Sequence, residues 1–122
     1  MRLSLLAGTL AAFAFAAPLA VADPAAAASF KSHKKYKVSG KATLVKAGSG
    51  HAVRLSGFRT TPGPDLYVYV GKGSPSRRIA KLRRFSGTQT YQLPKGVTPA
   101  SFSTVHIHCK RFNSTFATAK LR

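Results

Sequence analysis

The alternation of apolar and polar residues is the feature that most restricts how this chain can fold. Apolar residues alternate with polar ones through residues 36–46, and residues 51–59 repeat the pattern. A period of two residues places the apolar side chains on one face, as in a half-buried β-strand. The segment between them contains Gly48 and Gly50, which favours a tight hairpin loop. The sequence therefore predicts a β-hairpin at the start of the folded part.

Further strand-like segments follow, and glycine or proline residues separate them. Residues 65–70 are apolar or aromatic at nearly every position, as expected for a strand that is buried on both faces. Residues 77–85 fit either a short helical turn or a strand, and we interpret them as a strand. The remaining strand-like segments are residues 88–93, 102–110 and 115–121. The expected fold class is all-β, a single small antiparallel β-sandwich of about six to eight short strands.

The first 22 residues have the organisation of a secretory signal peptide. An apolar stretch covers residues 3–17, and Ala20-Val21-Ala22 offers a cleavage site. We expect residues 1–22 to be removed, residues 23–35 to form a flexible basic linker and residues 36–122 to form the domain. An uncleaved N-terminal anchor is the alternative. The expected location is secreted or in the cell envelope, because a signal peptide directs export. No later segment approaches the roughly 18 apolar residues of a membrane span.

The charge of the chain is strongly unbalanced. Twenty lysines and arginines stand against two acids, Asp23 and Asp65, and the formal net charge is +18. Such a surface attracts polyanions, for example nucleic acid, anionic lipid headgroups or acidic surface polymers. We expect nucleic acid to bind only nonspecifically. The alternative is a charge that merely keeps the surface solvated. The candidate polyanion-binding residues are Lys34, Lys35, Arg77, Arg78, Arg83 and Arg84.

Cys109 is the only cysteine, so the chain cannot form an internal disulfide. Alternation places Cys109 on the same strand face as Val105 and Ile107, whereas His106 and His108 lie on the opposite face. A buried inert thiol, an intermolecular disulfide and a reactive or ligating sulfur all remain open.

The two histidines are expected to be exposed on a basic face. They could bind a metal ion with help from His33 or His51. A copper site that also uses Cys109 is disfavoured, because the sulfur points to the opposite side of the strand from both imidazoles.

Hydrolytic chemistry is not expected from this sequence. Asp65 is the only acidic residue within the predicted domain, so a catalytic pair of carboxylates cannot form. The chain also lacks the nucleophile and phosphate-loop motifs of common hydrolases. Asp65 follows Gly63 and Pro64 and is expected to accept hydrogen bonds within that turn. We therefore expect a protein that is not an enzyme.

Three segments, taken in order, resemble one known family. They are residues 55–70, residues 87–94 and residues 105–112. The most specific features are the run Gly63-Pro64-Asp65-Leu66-Tyr67-Val68-Tyr69 and a cysteine, Cys109, that Phe112, Phe116, Ala119 and Leu121 follow. This part of the chain resembles the DM-thirteen domain, a secreted or cell-surface module described as an electron-transfer domain. The resemblance runs from about Tyr36 to Leu121.

The resemblance implies a β-sandwich in which Cys109 acts as a redox thiol or holds a prosthetic group such as haem. The sequence differs from the family pattern at His108, where tryptophan is common, and at Ala117, where glycine is usual. The leading interpretation is an exported redox, electron-transfer or prosthetic-group-binding module with an unidentified redox partner. The alternative is a cationic protein that binds an anionic surface polymer or nucleic acid and has a purely structural Cys109.

Overall fold

Eight β-strands organise residues 26–122, the part of the chain that the computed structural model describes. The strands are β1 Ala27–Ser32, β2 Val38–Ala47, β3 Gly50–Thr60, β4 Leu66–Gly71, β5 Pro75–Lys81, β6 Gln89–Gln92, β7 Thr104–Cys109 and β8 Ser114–Lys120. The helical content of residues 26–122 is one short 3-10 turn, Pro99–Ser101. No helix in this part of the chain has the length and hydropathy that a membrane span requires. The predicted all-β class is confirmed.

The strands form two antiparallel layers that share β1. The order is β5-β4-β7-β8-β1-β2-β3-β6. The first half of β1 pairs with β2, and its second half pairs with β8. A strand that passes from one layer to the other in this way forms a corner of the sandwich. The two edge strands, β5 and β6, also approach each other. The backbone amide of Arg83, just after β5, donates a hydrogen bond to the hydroxyl of Tyr91 in β6, 2.9 Å away, so the sheet is nearly closed like a barrel.

Strand β1 corrects the predicted domain boundary. The segment 23–35 was expected to be a linker, but residues 27–32 are a paired strand. Phe30 is 8% exposed, and its ring lies edge-on to Phe58 with centroids 5.7 Å apart. The sequence signal was weak because Phe30 is the only large apolar residue of the strand, which is held chiefly by backbone pairing on both sides. The predicted signal peptide, residues 1–22, lies outside the described residues.

The core lies between the inner faces of the two layers. Val53, Leu55, Val68, Val105 and Ile107 are each completely buried. Their spacing along β3, β4 and β7 follows the alternation seen in the sequence. The uncertain segment after residue 76 is a strand, as we interpreted it, although its pairing ends at Lys81.

The connections between the strands lie alternately at the two ends of the sandwich, because every strand is antiparallel to its neighbours. Residues 33–37, 61–65, 82–88 and 110–113 connect strands at one end, which we call the thiol end because Cys109 lies there. Backbone hydrogen bonds tie these connections to one another and to the strand ends. The amide of Lys110 donates to the carbonyl of Asp65 at 2.9 Å. The carbonyl of Phe85 accepts from the amide of Thr60 at 2.8 Å.

Candidate functional site

Cys109 is the last residue of β7 and has no exposed surface. It pairs with Leu66 of β4 on one side and with Ser114 of β8 on the other. Its side chain belongs to the hydrophobic core together with Val105 and Ile107, as the alternation predicted. The sulfur is therefore inside the sandwich but at its end, next to the β7–β8 turn.

An aromatic pair covers the core at the thiol end. The rings of Tyr36 and Phe116 stack with centroids 3.7 Å apart and planes 10° apart. The Tyr36 hydroxyl also shares a hydrogen bond with the hydroxyl of Ser114, at 3.1 Å. Ser114 is the residue opposite Cys109 in the β7–β8 ladder. Tyr36 thus links the partly exposed β1–β2 connection to the neighbourhood of the thiol.

The turn that precedes β4 packs tightly against the same cover. A β-carbon built at Gly63 would lie 3.1 Å from both the Leu66 and Phe116 side chains. Such a contact is tighter than most real β-carbon contacts, so glycine lets this turn approach the aromatic pair closely. The carboxylate of Asp65, which follows Pro64, accepts a hydrogen bond from the ammonium of Lys81 at 3.3 Å. Within residues 26–122 the Asp65 side chain thus contacts Lys81 of β5, and its role in the turn backbone stays a prediction.

His106 and His108 are on the outer face of β7, as predicted, but the expectation that they are exposed is wrong. Their exposed fractions are 0% and 6%. Strand β7 lies between β4 and β8, so side chains of both neighbours flank each imidazole. The ring of Tyr69, for example, lies edge-on to that of His108 with centroids 5.0 Å apart.

Hydrogen bonds fix the orientation and tautomer of His106. The Thr104 hydroxyl donates to the carbonyl of Gly71 at 2.8 Å, so it must accept from Nε2–H of His106, also at 2.8 Å. Nδ1 of neutral His106 is then the acceptor, and the Thr118 hydroxyl donates to it at 2.9 Å. The same hydroxyl lies 3.1 Å from Nε2 of His33. The result is a directed chain of hydrogen bonds across the outer face.

Burial, together with smaller contributions from the nearby His108 and His33 imidazoles, lowers the pKa of His106 from 6.5 to about 4. His106 is therefore neutral at ordinary pH. His108 also uses both ring nitrogens, with Thr115 at 2.9 Å and Asn113 at 3.2 Å. No group of three or more His, Cys, Asp or Glu side chains that could hold a metal ion forms within residues 26–122.

The predicted polyanion-binding residues do not form one cluster. Arg77 and Arg78 are consecutive in β5, so their side chains lie on opposite faces of that strand. The guanidinium of Arg78 lies over the ring of Tyr67, 5.3 Å from its centroid. Lys34, Lys35, Arg83 and Arg84 are instead in connections at the thiol end.

A scan against protein-family models matches residues 29–121 to the family described as Electron transfer DM13. The chain belongs to this DM13 family. The matched range begins within β1 and ends just after β8, so the DM13 unit contains most of β1 and all of the other seven strands. The resemblance found in the sequence is therefore confirmed. Searches of curated proteins and of solved structures give no match.

A prosthetic group such as haem does not fit the DM13 domain in this arrangement. Cys109 has no exposed surface. A porphyrin bound to its sulfur would have to displace the stacked rings of Tyr36 and Phe116 or the strands beside the thiol. The histidines of β7 cannot assist, because they lie on its other face and their ring nitrogens are already hydrogen-bonded.

The sequence did not indicate the contact between Tyr36 and Ser114. These residues are 78 positions apart and meet only because β1 pairs with β8. The only signal was the aromatic residue at the start of the first alternating segment. The chain departs from the family pattern at His108 and Ala117. The His108 side chain is held by hydrogen bonds, and Ala117 is completely buried. Both departures are thus accommodated within the DM13 sandwich.

Proposed function

We propose that this DM13 domain is an exported electron-transfer module and that the sulfur of Cys109 is its redox atom. The observation that carries the proposal is the family match over residues 29–121. The position of Cys109 adds support, because the only thiol is buried one residue from the exposed β7–β8 turn. An electron donor or acceptor bound at the thiol end would be close to the sulfur without touching it.

Burial favours one-electron chemistry over disulfide exchange at Cys109. Exchange requires a thiolate to attack a sulfur directly, which a thiol with no exposed surface does not permit in the folded state. An electron can cross packed side chains without such contact. Oxidation would send one electron from the thiol to a one-electron acceptor on the redox partner and its proton to solvent. The sulfur radical would then return to the thiol by taking up one electron from a donor and one proton.

The wider setting of the proposal is the cell exterior or envelope. Loss of residues 1–22 would leave a domain that acts as an accessory to a redox partner rather than as an enzyme. Asp65 is the only acidic residue among residues 26–122, and it is paired with Lys81. This residue set offers little for general acid–base catalysis by carboxylates.

The test uses protein recovered from the exported fraction. Its intact mass should correspond to a chain that begins at or near Asp23, its absorption spectrum should lack a chromophore, and denaturation should release one thiol. A one-electron oxidant should remove about one electron equivalent and produce a sulfur-centred radical in electron paramagnetic resonance spectra. Cys109→Ala should remain folded and lose this signal.

Tyr36→Phe is the control for a tyrosyl radical, since Tyr36 is the tyrosine of the aromatic pair that covers the thiol end. It should retain the sulfur signal. Equal loss of electrons to the oxidant from the wild-type protein and from Cys109→Ala would contradict the proposed function.

A second candidate is a polyanion-binding protein in which Cys109 is structural. The observation that favours it is the packing of Cys109 in the apolar core beside Val105 and Ile107. In that case log affinity for duplex DNA should fall linearly with log salt concentration, with a slope of about −0.9 per phosphate contacted. Arg83→Glu with Arg84→Glu should flatten that slope more than the matched pair of reversals at Arg77 and Arg78. Cys109→Ala should then lower the stability of the protein and leave its affinity for DNA unchanged.

A further inference from the structure

Exposed large apolar side chains occur at only one end of the described sandwich. Phe85 is 45% exposed and Phe112 is 61% exposed. Phe85 belongs to the β5–β6 connection and Phe112 to the β7–β8 turn, both at the thiol end. Both side chains present apolar surface to water at the same end of the sandwich, and apolar surface of this kind is what a binding partner covers.

Two cations precede each phenylalanine in the sequence. Arg83 and Arg84 immediately precede Phe85, and Lys110 and Arg111 immediately precede Phe112. The four connections of the thiol end carry seven cations, whereas those of the opposite end carry two, Lys72 and Lys95. The seven are Lys34, Lys35, Lys37, Arg83, Arg84, Lys110 and Arg111. The charge of the connections is thus concentrated at the end that carries the exposed rings.

This end is also internally connected. The carbonyl of Phe85 accepts a hydrogen bond from Thr60, and the amide of Lys110 donates one to Asp65. Arg84 donates to the carbonyl of Thr88 at 2.7 Å, which holds the β5–β6 connection in a tight turn. The two phenylalanines are therefore presented by tied connections rather than by free loops.

We propose that the thiol end docks on an anionic phospholipid bilayer, with Phe85 and Phe112 entering the interface and the surrounding cations contacting lipid phosphates. Aromatic residues flanked by lysine and arginine suit the boundary between headgroups and acyl chains. Phenylalanine side chains offer no hydrogen bonds to an acidic protein or to base edges, whereas they gain by leaving water for lipid. The cations supply the complementary charge.

Docking in this orientation would hold Cys109 inside the protein but close to the lipid surface, because Cys109 directly precedes the cationic β7–β8 turn. If membrane docking serves electron transfer, the redox partner is located in the membrane; this part of the inference rests on the proposed function. The membrane contact itself does not depend on the redox role. Cys109→Ala should therefore bind vesicles as the wild-type protein does, so failure of one proposal can be told from failure of the other.

The test measures partition of the exported protein onto vesicles at physiological ionic strength. Vesicles of phosphatidylcholine with phosphatidylglycerol should bind it, and vesicles of phosphatidylcholine alone should bind it much more weakly. Lys110→Glu with Arg111→Glu should reduce partition at least about tenfold, since each cation near an anionic surface contributes about fivefold. The matched control, Lys72→Glu with Lys95→Glu, makes the same charge change at the opposite end and should reduce partition less than about threefold.

The aromatic contribution is measured separately. Phe112→Ser and Phe85→Ser should each weaken partition several-fold without changing net charge. The chain contains no tryptophan, so Phe112→Trp supplies a single fluorescent probe. Its emission should shift to shorter wavelength on anionic vesicles, whereas a probe at the opposite end, Ser49→Trp, should show no shift.

Three results would overturn this proposal. The first is equal weakening by the two charge-reversal pairs, which would show contact by net charge alone. The second is wild-type partition of both serine variants. The third is no vesicle binding by a protein that binds an acidic protein or an oligonucleotide through the same residues.

Discussion

His106 connects a single residue to the pH dependence of stability. Its folded-state pKa is about 4, below the ordinary value of 6.5, because burial disfavours the imidazolium. Between these pH values the unfolded chain binds more protons than the native protein at this residue. The free energy of unfolding should therefore fall as pH drops from about 6.5 to about 4, by at most about 3 kcal/mol, and His106 should add no further change below that.

The measurement is urea denaturation across this pH range, with His106→Gln compared to the wild-type protein. The variant should lose this part of the pH dependence, because glutamine cannot titrate. His51→Gln is the matched control, since His51 lies in β3 outside the hydrogen-bond chain. If His106→Gln shows the same pH dependence of the free energy of unfolding as the wild-type protein, burial does not lower the pKa of His106.

At the scale of elements, the β2–β3 pair depends on one irregular position. The register shifts between Ser39 and Lys41, and Gly40 there has φ +106°. A β-carbon at Gly40 would lie 2.7 Å from the carbonyl oxygens of Ser56 and Gly57. Gly40→Ala should cost about 2–4 kcal/mol, from backbone strain together with this clash.

The control for that prediction is Gly48→Ala in the β2–β3 hairpin loop. Gly48 also has positive φ, +60°, but nothing lies within 4 Å of a built β-carbon. The substitution should therefore cost only the left-handed strain of about 1–2 kcal/mol. Denaturation midpoints for both variants measure the difference. Equal losses would mean that close backbone approach at Gly40 is not a constraint.

The elements also show what the sequence could and could not predict. The alternation in β2, β3 and β7 indicated both the strands and the inward position of Cys109, because a two-residue period is a local property. It missed β1, whose place depends on pairing with β2 and β8. It also failed for His106, because an outer-face side chain becomes buried only when neighbouring strands supply side chains on both sides.

The arrangement of residues at the thiol end was harder to predict from the sequence than the strands, because it depends on the topology of the sheet. The sequence marked Gly63, Asp65 and Cys109 individually. It did not bring Tyr36 next to Ser114, because strand order determines that contact, and it did not single out Phe85 and Phe112 as exposed. Paired cations looked equivalent in the sequence, yet Arg77 and Arg78 lie in a strand and Arg83 and Arg84 in a connection.

At the scale of the whole molecule, charge acts against compactness. The 122 residues carry a formal net charge of +18. The described residues contain only one ion pair, Lys81 with Asp65, in which the lysine side chain is 60% exposed. Exposed pairs contribute little, about 0–1 kcal/mol. Repulsion among the remaining cations should therefore lower the stability of the folded protein when salt is scarce.

Stability should rise as salt shortens the range of this repulsion, from a Debye length of about 30 Å at 0.01 M to about 8 Å at 0.15 M. The measurement is the urea midpoint at each salt concentration, since guanidinium chloride would itself screen the charges. Lys72→Glu with Lys95→Glu lowers the net charge by four at the end away from the thiol, and this variant should respond less to salt. A urea midpoint of the wild-type protein that does not change with salt would contradict the prediction. It would mean that the cations repel one another no more strongly in the folded chain than in the unfolded chain.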